Sequence, residues 1–196
     1  MLSFALGLVA LMLVTACEPP ARFPAPGEPR YRVLIAGDSL TIVSPAAQQN
    51  YVGYAYVEAA FGRAMVQPNI GQQGAIEVLP RVAQVLNPKV IVMELGTNDV
   101  LSKRPMADVF ADAERLIAAL PTSATLVWVA SATDREPERA AEFDTWLRGR
   151  VGIVVPFDQW VISNPGHFPD GVHPDEVGID ALWRLVAETL RTVHPA

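Results

Sequence analysis

The chain has 196 residues, 51% of them apolar, 18% charged and 8% aromatic, which suffices for one well-buried domain and rules out disorder along most of its length. Its 15 Lys and Arg against 21 Asp and Glu leave a net charge of −6, with nine basic and fifteen acidic side chains from residue 99 onward. An acidic chain without a basic stripe argues against a nucleic-acid partner, and a single cysteine excludes an intramolecular disulfide and any cysteine-cluster metal site.

Residues 2–16 carry no charged side chain and are mostly Leu, Ala, Val, Met and Phe, after which the chain turns polar and Pro-rich at Cys17. The stretch is short of the roughly 20 residues that span a bilayer, so a secretory signal over residues 1–16 fits better than a membrane helix. The run Val14-Thr15-Ala16-Cys17 resembles a bacterial lipobox, in which the cysteine receives lipid and becomes the first mature residue. That likeness implies that Cys17 is lipidated and that membrane contact comes through this anchor alone. A plain signal peptide or an uncleaved anchor is the alternative. Residues 17–30 hold Pro19, Pro20, Pro24, Pro26, Pro29 and Gly27, a composition that forbids a helix and predicts a stiff extended tether.

The folded domain is expected over residues 31–196. Apolar runs of strand length fall at Tyr31–Ala36, Ala64–Pro68, Val90–Leu95, Thr125–Ala130 and Val151–Phe157. Stretches of helical period fall between them at Tyr51–Gly62, Ala75–Leu86, Met106–Leu120 and Pro137–Arg148, and Pro174–Val193 closes the chain. Strands rich in Val and Ile on both faces are parallel strands covered by helices. The pattern predicts an α/β fold, a three-layer α/β/α flavodoxin-like domain with about five parallel strands. In such sheets ligands and chemistry gather at the carboxyl ends of the strands.

Four short blocks are expected at that end: Gly37-Asp38-Ser39-Leu40, then Asn69-Ile70-Gly71-Gln72-Gln73-Gly74, Gly96-Thr97-Asn98-Asp99, and Asp170-Gly171-Val172-His173-Pro174. Singly, each reads as an N-cap or a turn. Together they contain the parts of a nucleophilic site. A serine hydroxyl is a weak nucleophile until an imidazole takes its proton, and the imidazole needs a carboxylate to fix its tautomer. Ser39, His173 and Asp170 supply these groups, and the three-residue spacing of Asp170 and His173 lets one turn bring them together. Backbone N–H groups at Ser39 and Gly74 and the Asn98 amide could form an oxyanion hole. Gly71 is the alternative to Gly74, which is preferred because it opens a predicted helix. Asp38 and Asp99 read as loop braces, His167 as a solvated loop histidine with pocket lining as the alternative, and Asp134-Arg135-Glu136 as a charged helix entry.

These blocks resemble the GDSL or SGNH hydrolase family, whose four named residues are Ser, Gly, Asn and His, over essentially the whole domain from Arg32. The resemblance implies an SGNH-hydrolase fold with Ser39 as nucleophile, Gly74 and Asn98 in the oxyanion hole, and Asp170 with His173 completing a triad. With the signal over residues 1–16, it implies an extracytoplasmic serine esterase that needs no metal or organic cofactor and acts on a small acyl ester or an O-acylated glycan. The stretch Phe157-Asp158-Gln159-Trp160 and Asn164-Pro165-Gly166-His167-Phe168-Pro169 looks like SGNH domains of membrane acyltransferases, so the first alternative is an O-acyltransferase acting on a cell-envelope glycan. The second alternative is a non-catalytic binding lipoprotein on the same scaffold.

Overall fold

The computed structural model describes residues 33–53, 55–66 and 73–193. The signal, Cys17, the tether, Gly71 and His194 lie outside these residues. In chain order the elements are β1 (Val33–Gly37), α1 (Ser39–Ile42), α2 (Pro45–Tyr51), β2 (Tyr56–Ala59), α3 (Ala75–Leu86), β3 (Val90–Glu94), α4 (Thr97–Leu101), α5 (Met106–Ala119), β4 (Thr125–Val129), α6 (Pro137–Arg148), β5 (Val154–Val155), α7 (Phe157–Ser163) and α8 (Glu176–Val193). All neighbouring strands pair in parallel, in the order β2-β1-β3-β4-β5. This is the expected five-stranded α/β/α sheet.

Alternate side chains along a strand point to opposite faces, and here both faces are apolar. Leu34 and Ala36 of β1, Ile91 and Met93 of β3 and Trp128 of β4 join one core, against Leu79 of α3, Leu116 of α5 and Phe143 of α6. Ile35, Val90, Val92, Val127 and Val129 join the other, against Phe157 of α7 and Leu182, Trp183 and Val186 of α8. Trp128 and Trp183 are fully buried, each with its indole N–H satisfied, the first by the Leu95 carbonyl at 2.8 Å and the second by Ser44 Oγ at 2.7 Å.

Helices α3 and α6 occupy their expected spans, and α5 and α8 differ from theirs by one and two residues at one end. The region before α3 departs from expectation. Among the described residues no helix covers Tyr51–Gly62: Pro45 at the first helical position starts α2 early, the second strand is Tyr56–Ala59, and of the expected strand Ala64–Pro68 the described residues Ala64–Val66 form no strand. β2 is an edge strand paired only with β1, and its half-exposed residues lack the apolar run of an inner strand. Ala64 and Met65 are buried, but their backbone is engaged elsewhere. Their carbonyls accept from the Ala75 and Ile76 N–H groups at the start of α3, both at 3.0 Å, and the Met65 N–H donates to the Asp99 carboxylate. A segment that caps a helix cannot also pair as a strand.

Strand order reverses between β1 and β3, so their carboxyl ends open the crevice at which such sheets bind ligands. Ser39 follows β1 there, and Thr97-Asn98 follows β3.

Candidate active site

Asp38 caps α1: its Oδ1 accepts from the Leu40 N–H at 2.9 Å, which fixes the turn that presents Ser39. The Ser39 hydroxyl lies 2.9 Å from His173 Nε2. His173 Nδ1 lies 2.7 Å from Asp170 Oδ2, while Asp170 Oδ1 accepts from the backbone N–H groups of Val172 at 2.8 Å and His173 at 2.7 Å. One carboxylate thus orients both the ring and the turn that carries it. Bonds from the His173 ring and from these two N–H groups hold the Asp170 carboxyl far below the usual carboxylate range, although it is largely solvated. With Nδ1–H donated to the anion, Nε2 keeps its lone pair for the Ser39 proton.

The loop that carries Asp170 and His173 is tied down from several sides. The Thr133 hydroxyl and the Asp134 N–H donate to the Gly171 carbonyl at 2.7 and 2.9 Å. Arg135 donates from Nε and Nη2 to the Asp170 carbonyl at 3.0 and 2.8 Å. At the loop's base the Asp175 N–H donates to the His167 carbonyl at 2.8 Å, and His167 Nδ1 lies 2.9 Å from Asp175 Oδ2. His167, whose ring also rests on Trp160, is therefore a partnered clamp and not the solvated loop histidine expected. Arg135 likewise grips the loop instead of merely opening α6. Its partner is 35 residues away in the chain, which no local pattern reveals.

On the other side of Ser39, Asn98 Nδ2 sits between two acceptors, Asp38 Oδ2 at 2.7 Å and the Arg63 carbonyl at 3.1 Å. Both amide protons are engaged. Gly74 caps α3, and a Cβ there would lie 2.5 Å from the Val66 carbonyl oxygen, so the close approach of the two backbones requires glycine. The segment 63–65 joins these groups, since its carbonyls receive Asn98 and Ala75 and Met65 donates to Asp99. Asp38 and Asp99 thus brace the site as expected. Burial pushes the Asp99 carboxyl up to about 7 against the opposing bond from Met65.

Sequence reasoning passed over Glu94, the last residue of β3. Its Oε2 accepts from the Thr41 hydroxyl at 2.9 Å, and it is 4% exposed. The available signal was a charged residue ending a strand buried on both faces. Among the described residues no cluster of three or more His, Cys, Asp or Glu side chains is arranged to hold a metal ion, and no helix is long and apolar enough to cross a membrane.

Chemically, a hydroxyl aimed at an imidazole that is braced by a carboxylate can attack an acyl carbon and form a covalent acyl-enzyme. The sequence model of the GDSL-like lipase/acylhydrolase family matches residues 35–181, a span that contains every group just described. No curated protein matches closely enough to count as a relative. Among solved structures, a GDSL-like lipase of Bacteroides thetaiotaomicron superposes with a TM-score of 0.68 at 14% identity, covering 88% of this chain and 93% of that one. The C-terminal catalytic domain of Streptococcus pneumoniae peptidoglycan O-acetyltransferase A, bearing a methylsulfonyl adduct, gives 0.61 at 21% identity, covering 82% and 90%. The psychrotrophic esterase EstA of a Pseudoalteromonas species, inhibited by monoethylphosphonate, gives 0.60 at 16% identity, covering 82% and 97%. At these identities the likeness is one of fold.

Proposed function

The chain belongs to the GDSL-like lipase/acylhydrolase family of serine hydrolases, and on that premise we propose that it is an extracytoplasmic esterase that cleaves O-acyl esters through Ser39, His173 and Asp170. The observation that carries this reading is the 2.9 Å contact of Ser39 Oγ with His173 Nε2, backed by Asp170. Ser39 Oγ attacks the acyl carbon while its proton passes to Nε2. The tetrahedral intermediate then breaks the ester C–O bond, and the imidazolium returns that proton to the leaving alkoxide. Water repeats the sequence on the acyl-enzyme, giving its proton to Nε2 and releasing the acid as the proton returns to Ser39. The Ser39 and Gly74 N–H groups and Asn98 face the developing oxyanion. Asn98 serves by yielding its longer bond, the one to the Arg63 carbonyl.

The substrate class is a small acyl ester or an O-acylated cell-envelope glycan. Cys17, with the apolar run before it, anchors the domain by lipid outside the cytoplasmic membrane. A second reading, transfer of the acyl group to a glycan hydroxyl, is favoured by the likeness in fold to an O-acetyltransferase domain. The same three groups serve both reactions, which differ in whether water or a hydroxyl takes the acyl group. A binding role without turnover leaves the Ser39–His173–Asp170 alignment without a use.

Intact-mass analysis after exposure to candidate esters tests the reading, with an acyl mass expected on Ser39. With a short glycan acceptor raised into the millimolar range, free acid should remain the main product. Dominant, Ser39-dependent formation of acylated glycan would select the second reading. No acyl mass and no turnover with any ester would overturn both.

A further inference from the structure

Behind Ser39, two acids occupy the space between β1 and β3. Asp38 is fully buried, and Glu94 nearly so. Gly37 makes room for them: a Cβ there would lie 1.9 Å from Thr41 Oγ1 and 3.2 Å from Glu94 Oε2. Asp38 receives Leu40 N–H on one oxygen and Asn98 Nδ2 on the other. Glu94 receives the Thr41 hydroxyl and faces the Asp38 carboxyl and backbone N–H. Among the described residues neither acid forms an ion pair with Lys or Arg. The charges beyond the pair are that of Asp99, on which Asp38 acts, and that of His173, across Ser39, when its ring is protonated.

Two adjoining carboxylates in a buried pocket without a cation cannot both ionise, so the pair keeps a proton. The donors decide where it resides. Asp38 has hydrogen-bond donors on both oxygens and the field of the imidazole, all of which favour the anion. Burial pushes Asp38 to about 6, against the opposing bonds from Leu40, Glu94 and Asn98. Burial, then the charge of Asp38, drives Glu94 well above the usual carboxylate range. A protonated Glu94 can donate to Asp38, satisfying both groups, while an ionised Glu94 cannot.

We propose that Glu94 is a positioning residue: it keeps the proton shared with Asp38 and thereby fixes Asp38 as the anion that orients the Asn98 amide and the Ser39 turn. The proposal deepens the reading of Ser39 as nucleophile and rests on it. Glu94 touches no reacting atom. Its effect passes through Asp38 to the groups that do.

The test compares Glu94→Gln, which retains a neutral donor and acceptor, with Glu94→Leu, which removes both. With a short activated ester, Glu94→Gln should keep kcat within about threefold of the parent and leave the pH–rate profile unmoved. Glu94→Leu should lose about 10- to 100-fold in kcat with KM nearly constant, as expected of a misplaced site. Equal losses in both variants, a shifted profile in Glu94→Gln, or full activity in Glu94→Leu would overturn the proposal. An infrared difference spectrum at neutral pH gives a readout that does not need Glu94→Leu to fold. In the difference between the parent and Glu94→Gln, a protonated-carboxyl band should stand on the parent's side, and its absence would overturn the assignment of the proton. The Asn98 side-chain amide resonances should stay in place in Glu94→Gln, and their displacement would overturn the positioning role. These spectroscopic results hold or fail even if no ester is turned over, which separates failure of the proposal from failure of the esterase reading.

Discussion

Ser39 stands between two acids of the same kind in opposite surroundings. On one side Asp170 is half exposed, with three donors on its oxygens, and is held below the usual carboxylate range. On the other side Asp38 is wholly buried, and its carboxyl is pushed up to about 6. The difference follows from what each is asked to do. An acid that must remain an anion while an imidazole gains a proton belongs in water among donors. An acid that braces a turn can be buried, provided that a neighbour such as Glu94 shares its proton. The two carboxylates are thus kept ionised by different means, Asp170 by water and three donors, Asp38 by its donors and a neighbour that holds the proton.

Removing the group common to both sides should have the largest effect. Ser39→Ala should lower esterase turnover by about 10³-fold or more while leaving Tm unchanged, since the hydroxyl contributes to no core packing. Activity within a few-fold of the parent would remove the basis for comparing the two sides at all.

The buried side comes next. Asn98→Ala should cost about 10²- to 10³-fold in kcat with little change in KM, the signature of a lost oxyanion donor. A loss confined to KM would mean that Asn98 holds the bound substrate instead, and that the buried side acts before the transition state.

On the exposed side, Asp170→Asn puts an amide donor where the anion stood, so the ring turns to the tautomer with its proton on Nε2 and cannot accept from Ser39. Where the carboxylate is buried such a change costs about 10⁴-fold, but water reaches Asp170, and the loss here should be nearer about 10²-fold. Steady-state rates at neutral pH decide the point. A loss as large as for a buried carboxylate would show that exposure in the free protein does not persist when substrate is bound.

The two sides also differed in how readily the sequence disclosed them. Ser39 after an apolar strand and Asp170 three residues before His173 are local patterns, and strands β1, β3 and β4 show their two-faced burial in Val and Ile. Glu94 and Arg135 act on partners 53 and 35 residues away, so their roles exist only after folding. The misread stretch before α3 has the same cause. The apolar run at Ala64–Met65 looks like a strand, yet its carbonyls cap α3 and one of its N–H groups meets Asp99. Four-residue β2, by contrast, owes its state to pairing with β1.

The last prediction asks whether burial alone sets the direction on the buried side. Asp144 of α6 is 1% exposed and takes no part in the site. Its Oδ1 accepts from the Ser131 N–H at 2.8 Å, while Oδ2 has no hydrogen-bond partner among the described residues. Burial pushes it from 3.8 up to about 8, against that single bond. Because the folded value lies above the unfolded one, the folded state binds more protons between these limits. The stability linked to Asp144 is therefore fully present below the lower limit and is lost as pH rises through about 8. Asp144→Asn keeps the acceptor for Ser131 but cannot ionise, so its Tm should gain on the parent as pH rises from 5 to 8, by about 7–15 °C. The slope is the measurement, since a constant offset from altered packing leaves it untouched. A Tm difference that does not change with pH would show that burial does not raise this acid, and the contrast between Asp38 and Asp170 would then have to rest on their partners alone.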